Sequence, residues 1–383
     1  MTALPVMIEP MTEKICVVLL YGGRSGEHEV SLKSAAAVLR HLDRERFEVI
    51  PVSIDKTGLW QWNDLRLIDQ ASAQALPILP DALEVRLARG PGGRGTLIPI
   101  YAEVANPIEI DVVFPVIHGP LCEDGTVQGL LDLAEVAYVG SGVLASAVSM
   151  DKDVAKRLAR LAGIPVAPYR ALTRKAFIQD RPSSLAKAAE GLKLPVFVKP
   201  CNMGSSVGIH KVKAWDVLGA AIDDAFRYDL KVLVEQGIDA REIEVAVLEG
   251  EPPLVSLASE LNPSSHHEFY SYEAKYLDPD GAQVDLPAKL DAAQMERVRS
   301  LAAEAFLALE CSDLARVDFF LDRQTGEFYF NEINTLPGFT SISMYPKMMD
   351  ASGLPYGELL ARLVDRALDR HRQRQTLERG YLS

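Results

Sequence analysis

The stretch from Ala315 to Thr340 constrains this chain most. The run Ala315-Arg316-Val317-Asp318-Phe319-Phe320-Leu321 and a second run, Phe330-Asn331-Glu332-Ile333-Asn334, flank a polar turn containing Gly326. Apolar runs of this length around such a turn predict a β-hairpin. Side chains two apart on a strand share a face, so Arg316 pairs with Asp318 and Glu332 with Asn334. If the turn brings those faces together, three oxygen-bearing side chains and one guanidinium converge in an apolar setting. Buried carboxylates are costly unless a cation neutralises them. Hard oxygen donors favour Mg2+, and protein-held Mg2+ commonly shares its other positions with phosphates. The alternative is a hairpin whose Arg316 forms a purely structural salt bridge to Asp318 or Glu332.

The net charge of −13, from 40 basic and 53 acidic residues, argues against a general nucleic-acid binder. It leaves room for a small phosphorylated ligand in a local positive pocket. The 4 cysteines, Cys16, Cys122, Cys201 and Cys311, are widely spaced and form no CxxC pair. That usage suits a reducing, cytoplasmic setting and argues against a zinc site or disulfide scaffold. No apolar run approaches the ~18 residues of a membrane span. The first apolar run lacks the basic leader and long core of a signal peptide.

Lys14 to Tyr21 reads as a buried strand that enters Gly22-Gly23-Arg24-Ser25-Gly26-Glu27 and then a helix to about Leu42. Such turns lie at the carboxyl edge of α/β sheets, where ligands bind. The spacing is GGxxG rather than GxGxxG, and a plain strand-to-helix turn reads equally well. Phe47 to Ile54 is a further strand. Residues 56–108 read as an insertion of short strands and surface loops. Ile110 to Ile117 is a strand ending in His118-Gly119-Pro120-Leu121-Cys122-Glu123-Asp124-Gly125, which places a histidine beside Gly-bearing loops. Ser146 to Ala162 reads as one helix. Val196-Phe197-Val198-Lys199-Pro200 ends in a lysine and runs into Asn202-Met203-Gly204-Ser205-Ser206-Val207-Gly208. Such a loop offers backbone N–H groups and hydroxyls to a phosphate, although it is not a Walker loop and many similar turns only join strands. Arg241 to Leu248 is a strand with Glu242 and Glu244 on one face. Residues 261–288 form a long polar segment of the kind used as a lid.

Taken together, the motifs resemble D-alanine–D-alanine ligases of the ATP-grasp superfamily. The matching pieces are GGRSGEHEVS (22–31), HGPLCEDGTVQG (118–129), GSGVLASAVSMDK (140–152), VKPCNMGSSVGI (198–209), YEAKY (272–276), ARVDFF (315–320) and NEINTLPGFTSISMYP (331–346). They stand in the family's order. The resemblance implies an α/β fold, with α+β character in the C-terminal parts. A substrate-binding domain at 14–150 follows a tail at 1–13. A two-part ATP-grasp comes next, central at 151–236 and catalytic at 237–370, with a lid at about 261–288 and a polar tail at 371–383. It also implies a reaction. ATP phosphorylates the carboxylate of one D-alanine, and the amine of a second displaces phosphate to give the dipeptide for peptidoglycan.

Roles follow residue by residue. Asp318, Glu332 and Asn334 resemble ligands of two Mg2+ ions, or of Mn2+ in their place. Lys152 and Lys199 resemble phosphate-binding lysines, with Ser205 and Ser206 in the closing loop. Glu235, Gln236 and Ile238 resemble the adenine-binding connector, and Glu242 the ribose ligand. Arg316 and the Gly338 N–H resemble oxyanion donors. Glu27 would hold the first ammonium, with His118 beside it. Ser343 and Lys275 would hold the second carboxylate and the transferring phosphate. Ser205, Tyr276 and Glu27 would latch the lid. A homodimer is also implied. One departure is Cys122, where the family usually has glycine. The rival readings are a D-alanine–D-lactate or D-alanine–D-serine ligase, a dinucleotide-dependent oxidoreductase prompted by the first turn, and a non-catalytic ATP-binding module. The Lys275-Tyr276 pair resembles the dipeptide-forming type.

Overall fold

A computed structural model describes residues 14–68, 74–90, 94–100, 106–263 and 282–378 of the chain. The strand Ile15–Gly22 sits between Phe47–Ile54 and Val112–Pro115 and runs parallel to both. Its alternate residues enter different cores: Val17, Leu19 and Tyr21 on one side, Val18 and Leu20 on the other. A parallel strand covered on both faces has no polar side, which is why this run is apolar without alternation. Ala137–Tyr138 extends the parallel part. The short strands expected in the insertion join this sheet. Its strands Trp60–Trp62, Leu83–Arg89, Gly95–Pro99 and Ile108–Ile110 continue the same sheet in antiparallel fashion, to eight strands.

A second sheet of four antiparallel strands contains Tyr169–Thr173, Val196–Pro200, His210–Val212 and Lys231–Gln236. A third sheet is built on Ala240–Leu248, Leu314–Asp322 and Phe328–Asn334, flanked by Ser259–Pro263 and Ala282–Asp285. The helix Ala292–Ala308 covers its apolar face through Val298, Leu301, Ala302, Ala305 and Phe306. It begins with a capping box, Asp291 accepting from Gln294 N while Gln294 reaches back to Asp291 N.

The single helix expected over 146–162 is two helices, Val143–Met150 and Lys152–Leu161. Asp151 breaks it. Its extended backbone ends the first helix, and its carboxylate accepts from Asp153 N and Val154 N to start the second. The break places Lys152 in the first helical turn, where the dipole disfavours a cation. That local conflict marks a residue held for another purpose. The second helix contributes Ala155 and Ala159 to the core of the third sheet.

The helix Tyr356–Gln375 packs against the first sheet, with Leu359, Leu360, Leu363 and Val364 in one core with Val17, Leu19 and Phe114. An ion pair ties its outer half down. Arg370 Nη1 lies 2.7 Å from Oδ1 of the fully buried Asp313, whose Oδ2 accepts from Gly140 N. Arg370 Nη2 also donates to the carbonyls of Tyr138 and Gly140. Arg370→Met strips a buried carboxylate of its counter-ion, so we expect a loss of about 3 kcal/mol in chemical denaturation. A loss below about 1 kcal/mol, the worth of an exposed pair, would mean that solvent replaces the arginine.

Candidate active site

The hairpin register brings the expected groups together. Arg316 stands opposite Asn334, and Asp318 opposite Glu332. On the other flank Glu244 stands opposite Asp318. One face of three strands therefore presents charges, while Val245, Val317, Phe319 and Ile333 on the other fill the core. The register slips by one residue after Asp318, which leaves Asn331 as the extra residue of a bulge. Bulges re-aim side chains, and Asn331 Oδ1 accepts from Lys199 Nζ at 3.3 Å on the second sheet.

Arg316 forms a fork on Asp318, Nε to Oδ1 at 2.8 Å and Nη2 to Oδ2 at 2.7 Å, with Glu244 Oε1 3.3 Å from Nε. Burial works against the guanidinium's charge, but Asp318 and Glu244 outweigh it and hold the pKa well above the ordinary value. The structural salt bridge considered from sequence is thus present, within a larger cluster. Lys152 Nζ lies 3.1 Å from Glu332 Oε2 and donates to Met203 O at 2.8 Å. Its backbone N donates to Cys201 O, so the second helix is fastened to the second sheet. Asn334 Oδ1 is buried and accepts no hydrogen bond. Two carboxylates beside an unsatisfied amide oxygen form a hard donor set of the kind that suits Mg2+. Among the described residues no three His, Cys, Asp or Glu side chains form a metal cluster, and the third donor proposed here is an amide.

Across the cleft, Lys199 Nζ donates to Glu235 Oε2 at 2.6 Å. Glu235 is buried between Lys199 and Lys156. Burial pushes its carboxyl up, yet the two lysines bring it down to about 2. The Gln236 amide donates to Lys193 O and accepts from Lys193 N. Both connector side chains are thus engaged inside the protein. The Gly/Ser loop starts at Asn202, whose backbone and side chain both donate to Asp229 Oδ2. Ser205 and Ser206 take left-handed φ angles of 52° and 59°, a strain that side chains other than glycine accept mainly at functional loops.

The same loop reaches the first domain. Ser205 Oγ donates to Glu27 Oε1 at 2.5 Å. Glu27 is the N-cap residue of the helix His28–His41, where the dipole favours its charge. His118 is buried between Ser34 Oγ, 3.1 Å from Nε2, and Leu336 O, 3.2 Å from Nδ1. Burial opposes its protonation, but Glu123, Glu27 and that carbonyl outweigh it and raise the pKa. Ser343 precedes the helix Met344–Ala351, and its Oγ accepts from Thr340 N at 2.9 Å. A Cβ on Gly338 would come within 2.7 Å of that Oγ, so a larger residue there would require Ser343 to shift. The left-handed residues of the His118 loop are Gly119, Leu121 and Gly125, at φ 81°, 73° and 91°, and Cys122, buried in the first sheet's core, is not among them. The substitution of cysteine for glycine therefore imposes no unusual backbone there.

One cleft of about 1250 Å³ contains every site residue expected from sequence that the structure describes, from Glu27 and His118 through Lys152, Ile238 and Glu242 to Gly338 and Ser343. Lys275 and Tyr276 lie outside the described residues. The sequence reading missed Lys156, Glu123, Asn331 and the part of Glu244 in holding Arg316. Only Lys156 carried a signal, its i, i+4 spacing from Lys152 on one helix face.

Comparison with known proteins agrees with this architecture. Family models described as the D-ala D-ala ligase N-terminus and C-terminus match residues 16–141 and 158–365. The D-alanine–D-alanine ligase A of Bradyrhizobium diazoefficiens is 83% identical over 373 residues, covering 97% of this chain and 100% of the relative. The D-alanine–D-alanine ligase of Legionella pneumophila is 46% identical over 382 residues, with 97% and 100% covered. Among solved structures, the D-alanine–D-alanine ligase of Coxiella burnetii superposes with a TM-score of 0.80 at 35% identity, covering 95% of this chain and 97% of that one. A D-Ala:D-Ser ligase of Enterococcus faecalis also gives 0.80, at 34% identity with 93% and 100% covered. The sheets that border the cleft follow the ATP-grasp arrangement, and the chain belongs to the D-alanine–D-alanine ligase family.

Proposed function

We propose that the cleft joins two D-alanine molecules at the expense of ATP, and that the residues named from sequence perform the reaction. The chain is an ATP-dependent carboxylate–amine ligase. The observation that carries the residue-level reading is the meeting, in one cleft, of Arg316, Asp318, Glu332 and Asn334 with two lysines and Glu27.

Glu27 holds the ammonium of the first D-alanine, with His118 beside it. A carboxylate oxygen of that D-alanine attacks the γ-phosphorus of ATP, the bond to the bridging oxygen breaks, and ADP departs. Lys152 and Lys199 hold the phosphates, while the connector backbone and Glu242 hold the nucleoside. Asp318, Glu332 and Asn334 would hold Mg2+, which offsets the charge that develops during in-line phosphoryl transfer. The amine of the second D-alanine, held through Ser343 and Lys275, then attacks the acyl carbon and loses a proton. Arg316 and Gly338 N–H stabilise the oxyanion before phosphate leaves. Ser205, Tyr276 and Glu27 keep the site closed, because water would hydrolyse an acyl phosphate. The same reading includes a homodimer acting in the cytoplasm and the boundaries 151–236 and 237–370 for the grasping domains. Among the described residues no helix is long and apolar enough to cross a membrane.

The test is phosphate release from Mg-ATP with and without D-alanine, with the product identified by mass. Release that ignores D-alanine, or binding of ATP without release, would overturn the reading. The likeness to the Enterococcus faecalis D-Ala:D-Ser ligase favours a second reading in which D-serine takes the second place. Comparing D-alanine, D-serine and D-lactate as second substrates separates them, and faster capture of D-serine or D-lactate would replace D-alanine.

A further inference from the structure

The nucleotide half of the cleft rests on a lysine to which the proposed reaction gives no part. Lys156 stands one turn after Lys152 in the helix Lys152–Leu161, and its side chain is fully buried. A buried ammonium is costly without a partner. Its Nζ lies 2.7 Å from Glu235 Oε1, a charge contact rather than an aligned hydrogen bond. It also donates to Phe330 O at 3.1 Å, with the Phe330 ring 6.0 Å away. The other oxygen of Glu235 accepts from Lys199. Lys156, Glu235 and Lys199 thus form one buried line that joins the second helix, the second sheet and the hairpin.

The stoichiometry is the informative point. One carboxylate needs one counter-ion, and here two lysines share it. Of the two lysines, Lys199 lines the cleft and Lys156 does not. Were Lys199 the sole partner of Glu235, the two charges would cancel and little positive field would reach a phosphate. With Lys156 on the far oxygen, the excess positive charge stays at the cleft end. The low pKa of Glu235 agrees, since both lysines lower it against its burial. Burial draws Lys156's own pKa below the usual lysine range, and Glu235 opposes that pull.

We propose that Lys156 is a positioning residue for the nucleotide's phosphates: it holds Glu235 from behind and so leaves the charge of Lys199 turned toward the cleft. This rests on the assignment of Lys199 to the phosphates above. It predicts an effect that follows the phosphate chain and spares the nucleoside.

The experiment is calorimetric binding of Mg-ATP and ADP to the full chain carrying Lys156→Met, without D-alanine, with adenosine as competitor. The variant keeps Glu235 and Lys199 as a one-to-one pair, so no buried charge is orphaned and the fold should hold. We expect ATP and ADP to bind roughly tenfold more weakly, adenosine to bind as before, and the KM for D-alanine to stay unchanged. Lys156→Arg, which keeps the charge, should restore ATP binding. Lys156→Gln, which keeps a donor for Phe330 O, repeats the measurement with the backbone contact intact. Unchanged ATP affinity, or equal losses for ATP and adenosine, would overturn the proposal. Unaltered protein measured alongside separates the two readings. If it binds ATP but releases no phosphate with D-alanine, the reaction is misassigned while the binding data still judge Lys156.

Discussion

Glu332→Gln is expected to remove nearly all turnover and leave the protein folded. The side chain is partly exposed and pairs with Lys152 at 3.1 Å. Glutamine keeps the volume, and Lys152 keeps its bond to Met203 O. What disappears is one of the two carboxylates in the donor set of Asp318, Glu332 and Asn334, and with it the negative charge that would hold Mg2+ against the phosphates. We expect phosphate release to fall by at least roughly 10³-fold, a loss of about 4 kcal/mol of transition-state stabilisation. The thermal midpoint should move little. D-alanine-dependent phosphate release measures the first quantity and thermal denaturation the second. Turnover within tenfold of normal in a folded variant would remove Glu332 from the metal set.

Arg316→Lys probes the other half of the hairpin. Alanine would take the guanidinium away from Asp318 and Glu244, and a stability loss would then mask the chemistry. Lysine keeps a positive charge between them but not the planar fork that donates to both oxygens of Asp318. The tetrahedral intermediate would lose an oxyanion donor, an effect of roughly 10² to 10³ in kcat. The KM for ATP should change by no more than a few-fold, since the phosphates are assigned to other groups. A kcat within about threefold of normal would make Arg316 a tie between strands and nothing else.

The elements around the cleft were legible because their patterns are local. Phe47–Ile54 matches its expected bounds, and the hairpin strands end within a few residues of theirs. Parity alone placed Arg316 with Asp318. Facing of the two strands depended on the turn, and the sequence could not supply it. The bulge at Asn331 was not visible, since one slipped residue leaves the apolar alternation on each side intact. The break at Asp151 was hidden because helical spacing continues through it, although Asp before a fresh helical run is a capping signal. The sheet extension was more accessible than it was read to be, since the residues from Leu83 to Leu87 alternate apolar and polar. Lys156 offered only its spacing from Lys152: a lysine one turn from another is ordinarily solvated, and only packing shows this one to be buried.

The helix Tyr356–Gln375 has a consequence for how the chain is made. It shares a core with Val17, Leu19 and Tyr21, which are synthesised first. The helix His28–His41 covers part of that face early, through Ala35, Val38 and Leu39, but the rest stays open while the ribosome works through the two grasping sheets and closes only when Leu359 to Val364 have emerged. A nascent chain of this kind presents apolar surface for most of its synthesis, the condition under which chaperones engage and aggregation competes. Premature termination before residue 356 would therefore damage the first sheet as well as the tail.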